Sequence, residues 1–119
     1  MDEKHSSEKY AYLTTIGRNS NKPHRVEICF YEEDGKVYLL GHRHDDKSTT
    51  DWHQNLKRNQ RCILQVLDQK FRCRAISLIE DDELENMVNT AFRQKLGEDH
   101  YNTWYAGSDR VPVVLEILE

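Results

Sequence analysis

Arg18, Lys22 and Arg25 sit close together in YLTTIGRNSNKPHR, the segment from Tyr12 to Arg25, interleaved with Ser20, Asn21 and Pro23. Three cations with hydroxyl and amide groups between them make a cradle for a phosphate, because an oxyanion is best held by charge-assisted bonds from several directions. Such a loop is also what a solvated hairpin carries. Among the six histidines, His42 and His44 would share one side of an extended strand, with Asp45 or Asp46 adding oxygen. A zinc or iron site needs a third ligand and supporting groups, for which His24 or His53 are candidates. Nothing in the sequence brings these together, and no metal is assigned. Cys29, Cys62 and Cys73 are odd in number and lie within apolar strand patterns, so they read as reduced core thiols. No acid–base dyad is visible.

The chain that must position these residues has 119 of them, enough for one domain with its own core. Charged residues make up 32% and hydrophobic ones 37%, a lean core that a partner subunit would help to complete. The net charge of −4 argues against nucleic acid as a partner. Basic clusters at 18–25, 57–61 and 70–74 still suit a small anionic ligand. No apolar run is long enough to span a membrane, and MDEKHSSEK is unlike a signal peptide, so a cytoplasmic protein is expected.

Residues 1–9 are polar and expected to fray. Tyr12–Ile16 has the β-branched and aromatic content of a strand, broken at Gly17. A second strand, Val26–Tyr31, alternates Val26, Ile28 and Phe30 against Glu27, Cys29 and Tyr31. Asp34-Gly35 marks a hairpin turn, after which Lys36–His42 sets Val37 and Leu39 against Tyr38 and Leu40. Ser48 and Asp51 have capping-box spacing, predicting a short helix from Thr49 to Arg58, pinned by Trp52 and Leu56. A second hairpin, Arg61–Leu67 and Gln69–Glu80, turns at Asp68-Gln69. Leu84, Met87, Val88, Ala91, Phe92 and Leu96 form the apolar stripe of a long helix over Asp82–Leu96, stopped by Gly97. A loop holding Tyr101, Trp104 and Tyr105 leads to a last strand, Val111–Leu118, apolar on both faces. Such a strand is buried on both sides or paired at an interface. Consecutive hairpins with two inserted helices predict a mainly β (α+β) fold, an antiparallel barrel or half-open barrel of about six strands.

Four segments, LTTIGRNSNKPHR, DGKVYLLG, DWHQNLKRNQ and DRVPVVLEIL, together resemble the flavin-binding split β-barrels related to pyridoxamine-phosphate oxidase. Within these the chain is most similar to the deazaflavin-dependent nitroreductases and quinone reductases. The resemblance implies a single six-stranded split-barrel domain over 1–119 that pairs as a homodimer, with FMN or, alternatively, the deazaflavin F420 in the seam. It implies a phosphate held by Arg18, Ser20, Lys22, Arg25, Lys47 and Ser48, and a ring edge met by Leu40, Gly41 and His42. Trp52 and Asn55 would support that wall. Tyr31, His42 and His44 are candidates to donate hydrogen bonds to ring or substrate, and Tyr101 and Tyr105 to close over them.

The implied activity is hydride transfer to a small organic acceptor, and the alternative is a module that holds flavin or haem without turnover. Three departures stand out. Ser20-Asn21 replaces a usual Ser-Gly, His42-Arg43-His44-Asp45-Asp46 replaces a glycine-rich turn, and no proline follows Asn59. Asn tolerates left-handed geometry, so the first turn can survive.

Overall fold

The computed structural model describes residues 1–43, 49–79, 81–105 and 110–118, with the backbone alone at Trp104 and Tyr105. The described strands are β1 (Tyr10–Ile16), β2 (Pro23–Cys29), β3 (Tyr31–Glu33), β4 (Lys36–His42), β5 (Arg61–Val66), β6 (Gln69–Ser77) and β7 (Arg110–Ile117). The helices are α1 (Glu3–Ser6), α2 (Asp51–Arg58), α3 (Asp82–Leu96) and α4 (Glu98–Tyr105). The strands form one antiparallel sheet in the order β2-β1-β5-β6-β7-β4-β3. Its two edges, β2 and β3, are consecutive pieces of chain joined at Phe30. The sheet therefore curls until one run of chain belongs to both edges, giving a split β-barrel.

Seven strands replace the six expected, because the run read as one strand over Val26–Tyr31 is divided at Phe30. Its first part pairs with β1 and its last with β4. The alternation holds across the break. Ile28, Phe30, Val37 and Leu39 join Leu13, Leu64, Val113 and Leu115 in the barrel core, which Trp52 and Leu56 of α2 also enter. Cys29 and Leu40 face the other way, onto Val88, Phe92 and Leu96 of α3 and Tyr101 of α4. Strand β7 is thus buried on both faces within one chain, between the barrel core and the helical layer. An interface is not needed to explain its apolarity.

Local chemistry explains most boundaries. Asp34 and Gly35 both take positive φ, 53° and 81°, as a primed hairpin turn demands. Asn21, in place of the usual glycine, is left-handed at φ 58°. The second hairpin turns at Leu67-Asp68, one residue earlier than expected, with Leu67 at φ 55°. Asp81 caps α3 through a bond from Leu84 N, and Gly97 ends it at φ 86°. Where a loop was expected, Glu98 starts α4 at once. The expected frayed lead-in contains α1, whose His5 packs edge-on against Phe71 of β6, 5.9 Å between ring centres. Among the described residues no helix is long and apolar enough to cross a membrane.

Candidate functional site

The end of β4 and the start of α2 are tied together by backbone. Thr50 N donates to His42 O at 3.1 Å, and Arg43 bridges to Thr49. The N-cap of α2 is Thr50, not the Ser48 position suggested by the Ser48–Asp51 spacing, and its side chain makes no capping bond. Thr50 Oγ1 is instead buried without a hydrogen-bond partner among the described residues. It lies near Gly41, where an added Cβ would stand 3.7 Å from this hydroxyl and 3.6 Å from the Trp52 ring. Leu40 is buried in the helical layer, and Trp52 in the barrel core.

His42, half-buried at the end of β4, is opposite Arg110, the first residue of β7. Arg110 is only 7% exposed, and its Nη1 lies 3.3 Å from His42 Nδ1. Behind this wall a relay of buried polar groups locks the start of α2. His53 Nε2 donates to Leu78 O at 3.2 Å, so Nδ1 accepts from Thr49 Oγ1 at 2.6 Å; that oxygen accepts from Gln54 Nε2 at 2.8 Å. Burial pushes the His53 imidazole below its ordinary value, against the Leu78 bond and helped by Lys57 and Arg43. His53 is a structural neutral histidine, and its ring nitrogens are occupied.

The first loop is anchored to the same helix. Arg18 N and Nη1 both donate to Asn55 Oδ1, at 3.1 and 3.0 Å, and Nη2 reaches Asp51 at 3.3 Å. Asn55, buried, passes the connection on to Thr15 Oγ1 at 3.0 Å. A Cβ at Gly17 would stand 2.5 Å from Ser20 Oγ and 2.7 Å from the His24 ring, so a larger residue there would have to push these two exposed side chains aside. Ser20 Oγ accepts from Lys22 N at 3.2 Å. Gly17, Arg18, Asn19, Ser20, His24, Asp51 and Asn55 enclose a cleft of about 280 Å³.

The other expected site residues are spread out. Arg25 lies on the outer face of the sheet, stacked 4.0 Å over Tyr12 and donating to Gln65 at 3.4 Å. Arg18 turns instead toward α2, and Lys22 is exposed. Tyr31 pairs with Tyr38, four residues before His42 on β4 and so about 13 Å from it. It faces a groove with Asn86, Met87 and Thr90 of α3, and burial together with Glu33 raises its phenol above the ordinary value. Tyr101 is buried; its hydroxyl donates to Asn89, and Arg93 stacks on its ring at 4.7 Å. His44, Lys47, Ser48 and the Tyr105 side chain lie outside the described residues, as do Asp45 and Asp46. No group of three possible metal ligands occurs among the described residues. Thr50 and Arg110 were missed by sequence reasoning. Arg110 carried a signal only as the first residue of an Arg-x-Pro-Val-Val motif, and Thr50 carried none.

The family model for F420H(2)-dependent quinone reductase matches residues 3–117. The chain belongs to that family. No curated protein matches it in sequence. A solved F420 reductase superposes on 98% of this chain and 93% of its own, with a TM-score of 0.70 at 14% identity. The haem storage protein HutZ from Vibrio cholerae aligns over 93% of this chain and 82% of its own, with a TM-score of 0.69 at 17% identity. An FAD-binding protein from Mesorhizobium loti aligns over 96% of this chain and 82% of its own, with a TM-score of 0.67 at 15% identity. At such identities these likenesses establish the split-barrel fold this F420H(2)-dependent quinone reductase family member adopts, and nothing finer.

Proposed function

We propose that this chain is a reductase that holds F420 against the end of β4 and passes hydride from it to a small acceptor of the quinone or nitro type. The family match over residues 3–117 carries the reading, and it puts F420 ahead of FMN, the cofactor the resemblance placed first. When bound, the deazaflavin supplies the hydride chemistry. The chain binds it, orients it and shields the reacting face.

The residues at the β4 end fit such a group. A buried hydroxyl without a partner is costly, and Thr50 Oγ1 would be satisfied by a heterocycle edge that carries carbonyl or nitrogen acceptors. Gly41, His42 and Thr50 would line that edge, with Leu40 buried beneath α3 and Trp52 and Asn55 holding the wall from behind. Arg25, exposed on β2, would meet the phosphate together with Lys47 and Ser48. Arg18, Ser20 and Lys22 act by shaping the loop beside it, since the Arg18 guanidinium is bound to Asn55 and Asp51. The seam of a homodimer is supported by the outer face of the sheet, where Tyr12, Ile63 and Ile76 are exposed among Arg25, Arg61, Arg72 and Arg74.

The test is quinone-dependent oxidation of F420H2, followed by deazaflavin absorbance, with sedimentation of the same sample. The reading expects turnover and a dimer at micromolar concentration. F420H2 that binds but is never oxidised by quinone or nitro acceptors would leave a non-catalytic flavin or haem module. A monomer with cofactor bound would remove the seam.

A further inference from the structure

We propose that Lys95 is an acyl-acceptor site, an amine that takes an acyl group directly from a small acyl phosphate. The inference does not depend on the cofactor site proposed above, because Lys95 belongs to the joint between β2 and β3. Its side chain leaves α3 and reaches the point where the two sheet edges meet. Nζ donates to Phe30 O at 2.6 Å and stands 3.8 Å from the centre of the Phe30 ring. Phe30 is fully buried and Lys95 half-buried. Among the described residues no carboxylate comes within ion-pair distance of this nitrogen. Glu32 of β3 is turned to Gly35 N at 2.9 Å, and Glu98 of α4 lies 3.8 Å from Arg93. A charge drawn out of water without a counter-ion is costly, so the site favours the neutral amine.

Burial lowers this amine to about 8, against the pull of Cys29, Glu32 and Glu8. Lys4, Lys9, Lys22, Lys36, Lys57 and Lys70 are exposed to water, and Lys47 lies outside the described residues. For a solvated lysine roughly one amine in 250 is free at pH 8, against about half at a site with the value of Lys95. A lower value also dulls nucleophilicity, by about half a log unit per unit for thiols, which leaves Lys95 a net gain of about tenfold. In the reaction the free electron pair of Nζ attacks the acyl carbon. The C–N bond forms, the C–O bond to phosphate breaks, and inorganic phosphate leaves with that electron pair. The surplus amine proton passes to water. The product is a secondary amide whose one N–H can still donate to Phe30 O. Acylation therefore removes the charge and keeps the bond that ties α3 to the closure of the sheet.

The experiment incubates the folded parent protein with acetyl phosphate between about pH 7 and 9.5, a window that brackets the value of Lys95. Peptide mass spectrometry follows the initial acetylation rate of each lysine, and the same series is run in concentrated urea. At pH 8 Lys95 is expected to acetylate about tenfold faster than the exposed lysines. Its rate should level off above about pH 8, where the amine is already free. In urea the lead should vanish, because the fold and not the local sequence creates it. A Lys95 rate no higher than those of the exposed lysines would overturn the proposal, as would a rate that keeps climbing through the whole window. A lead that survives in urea would overturn it too. Because every arm uses the parent chain, none depends on whether a variant folds, and none requires F420 to bind.

Discussion

Thr50 stands at the N-cap of α2 and caps nothing; its hydroxyl is buried beside Gly41 and the Trp52 ring. A polar atom left in that state costs roughly 1–3 kcal/mol, which a folded chain tolerates where a ligand completes the bond. Replacing it by an isosteric methyl should therefore help the empty protein and harm the loaded one. Thr50→Val is expected to melt no lower than the parent without cofactor, and to bind F420 about tenfold more weakly. A lower melting temperature with unchanged affinity would make the hydroxyl structural. This residue was not legible in the sequence, because Ser48–Asp51 offers a better capping pattern and the choice was made by the pairing of Thr50 N with His42 O. Where Arg18 turns was not legible for a similar reason. A cation in a polar loop suggests an anion, yet its partners, Asn55 and Asp51, lie more than thirty positions away on α2. Arg110 was hidden because burial of an arginine is a tertiary property.

Strand β4, the Asp34-Gly35 turn and α3 were legible because local pattern and tertiary environment agree there. Helix α4 was not. Gly97 ends α3 as expected, and nothing in Glu98–Tyr105 announces a new helix apart from its acidic start. What builds it is contact, Tyr101 packing beneath α3 among Leu40 and Phe92. The division of β2 from β3 is likewise a matter of pairing partners, invisible in the alternation. At that division Lys95 of α3 reaches across, its Nζ 2.6 Å from Phe30 O and 3.8 Å from the centre of the Phe30 ring. Burial pushes this amine down to about 8 from an ordinary 10.5, against the pull of Cys29, Glu32 and Glu8. Because the folded value is the lower one, the unfolded chain holds more protons between the two. The contribution of Lys95 is complete above about 10.5 and lost as pH falls through about 8. The parent should thus gain thermal stability relative to Lys95→Met as pH rises from 8 toward 10. Parallel melting curves for the two proteins over that range would show the amine to be solvated.

For the whole molecule, the sequence resemblance gave the split barrel and its order of elements, while closure of the sheet through Phe30 emerged only from the topology. The topology also moves the grounds for a dimer. Strand β7 is covered on both faces by its own chain, so an apolar last strand no longer argues for a partner. The outer face of β1, β5 and β6 now does, with Tyr12, Ile63 and Ile76 exposed there. The proposed place for the deazaflavin is the end of β4. The most direct measurement is an absorbance titration of the purified protein with F420 and, separately, with FMN, run on the parent and on Arg25→Ala. F420 should bind more tightly than FMN, and loss of the Arg25 contact should weaken it by about tenfold to a hundredfold, the worth of one charge-assisted bond, less where solvent screens it. A parent that binds neither cofactor, or an Arg25→Ala variant that binds F420 as tightly as the parent, would contradict the account.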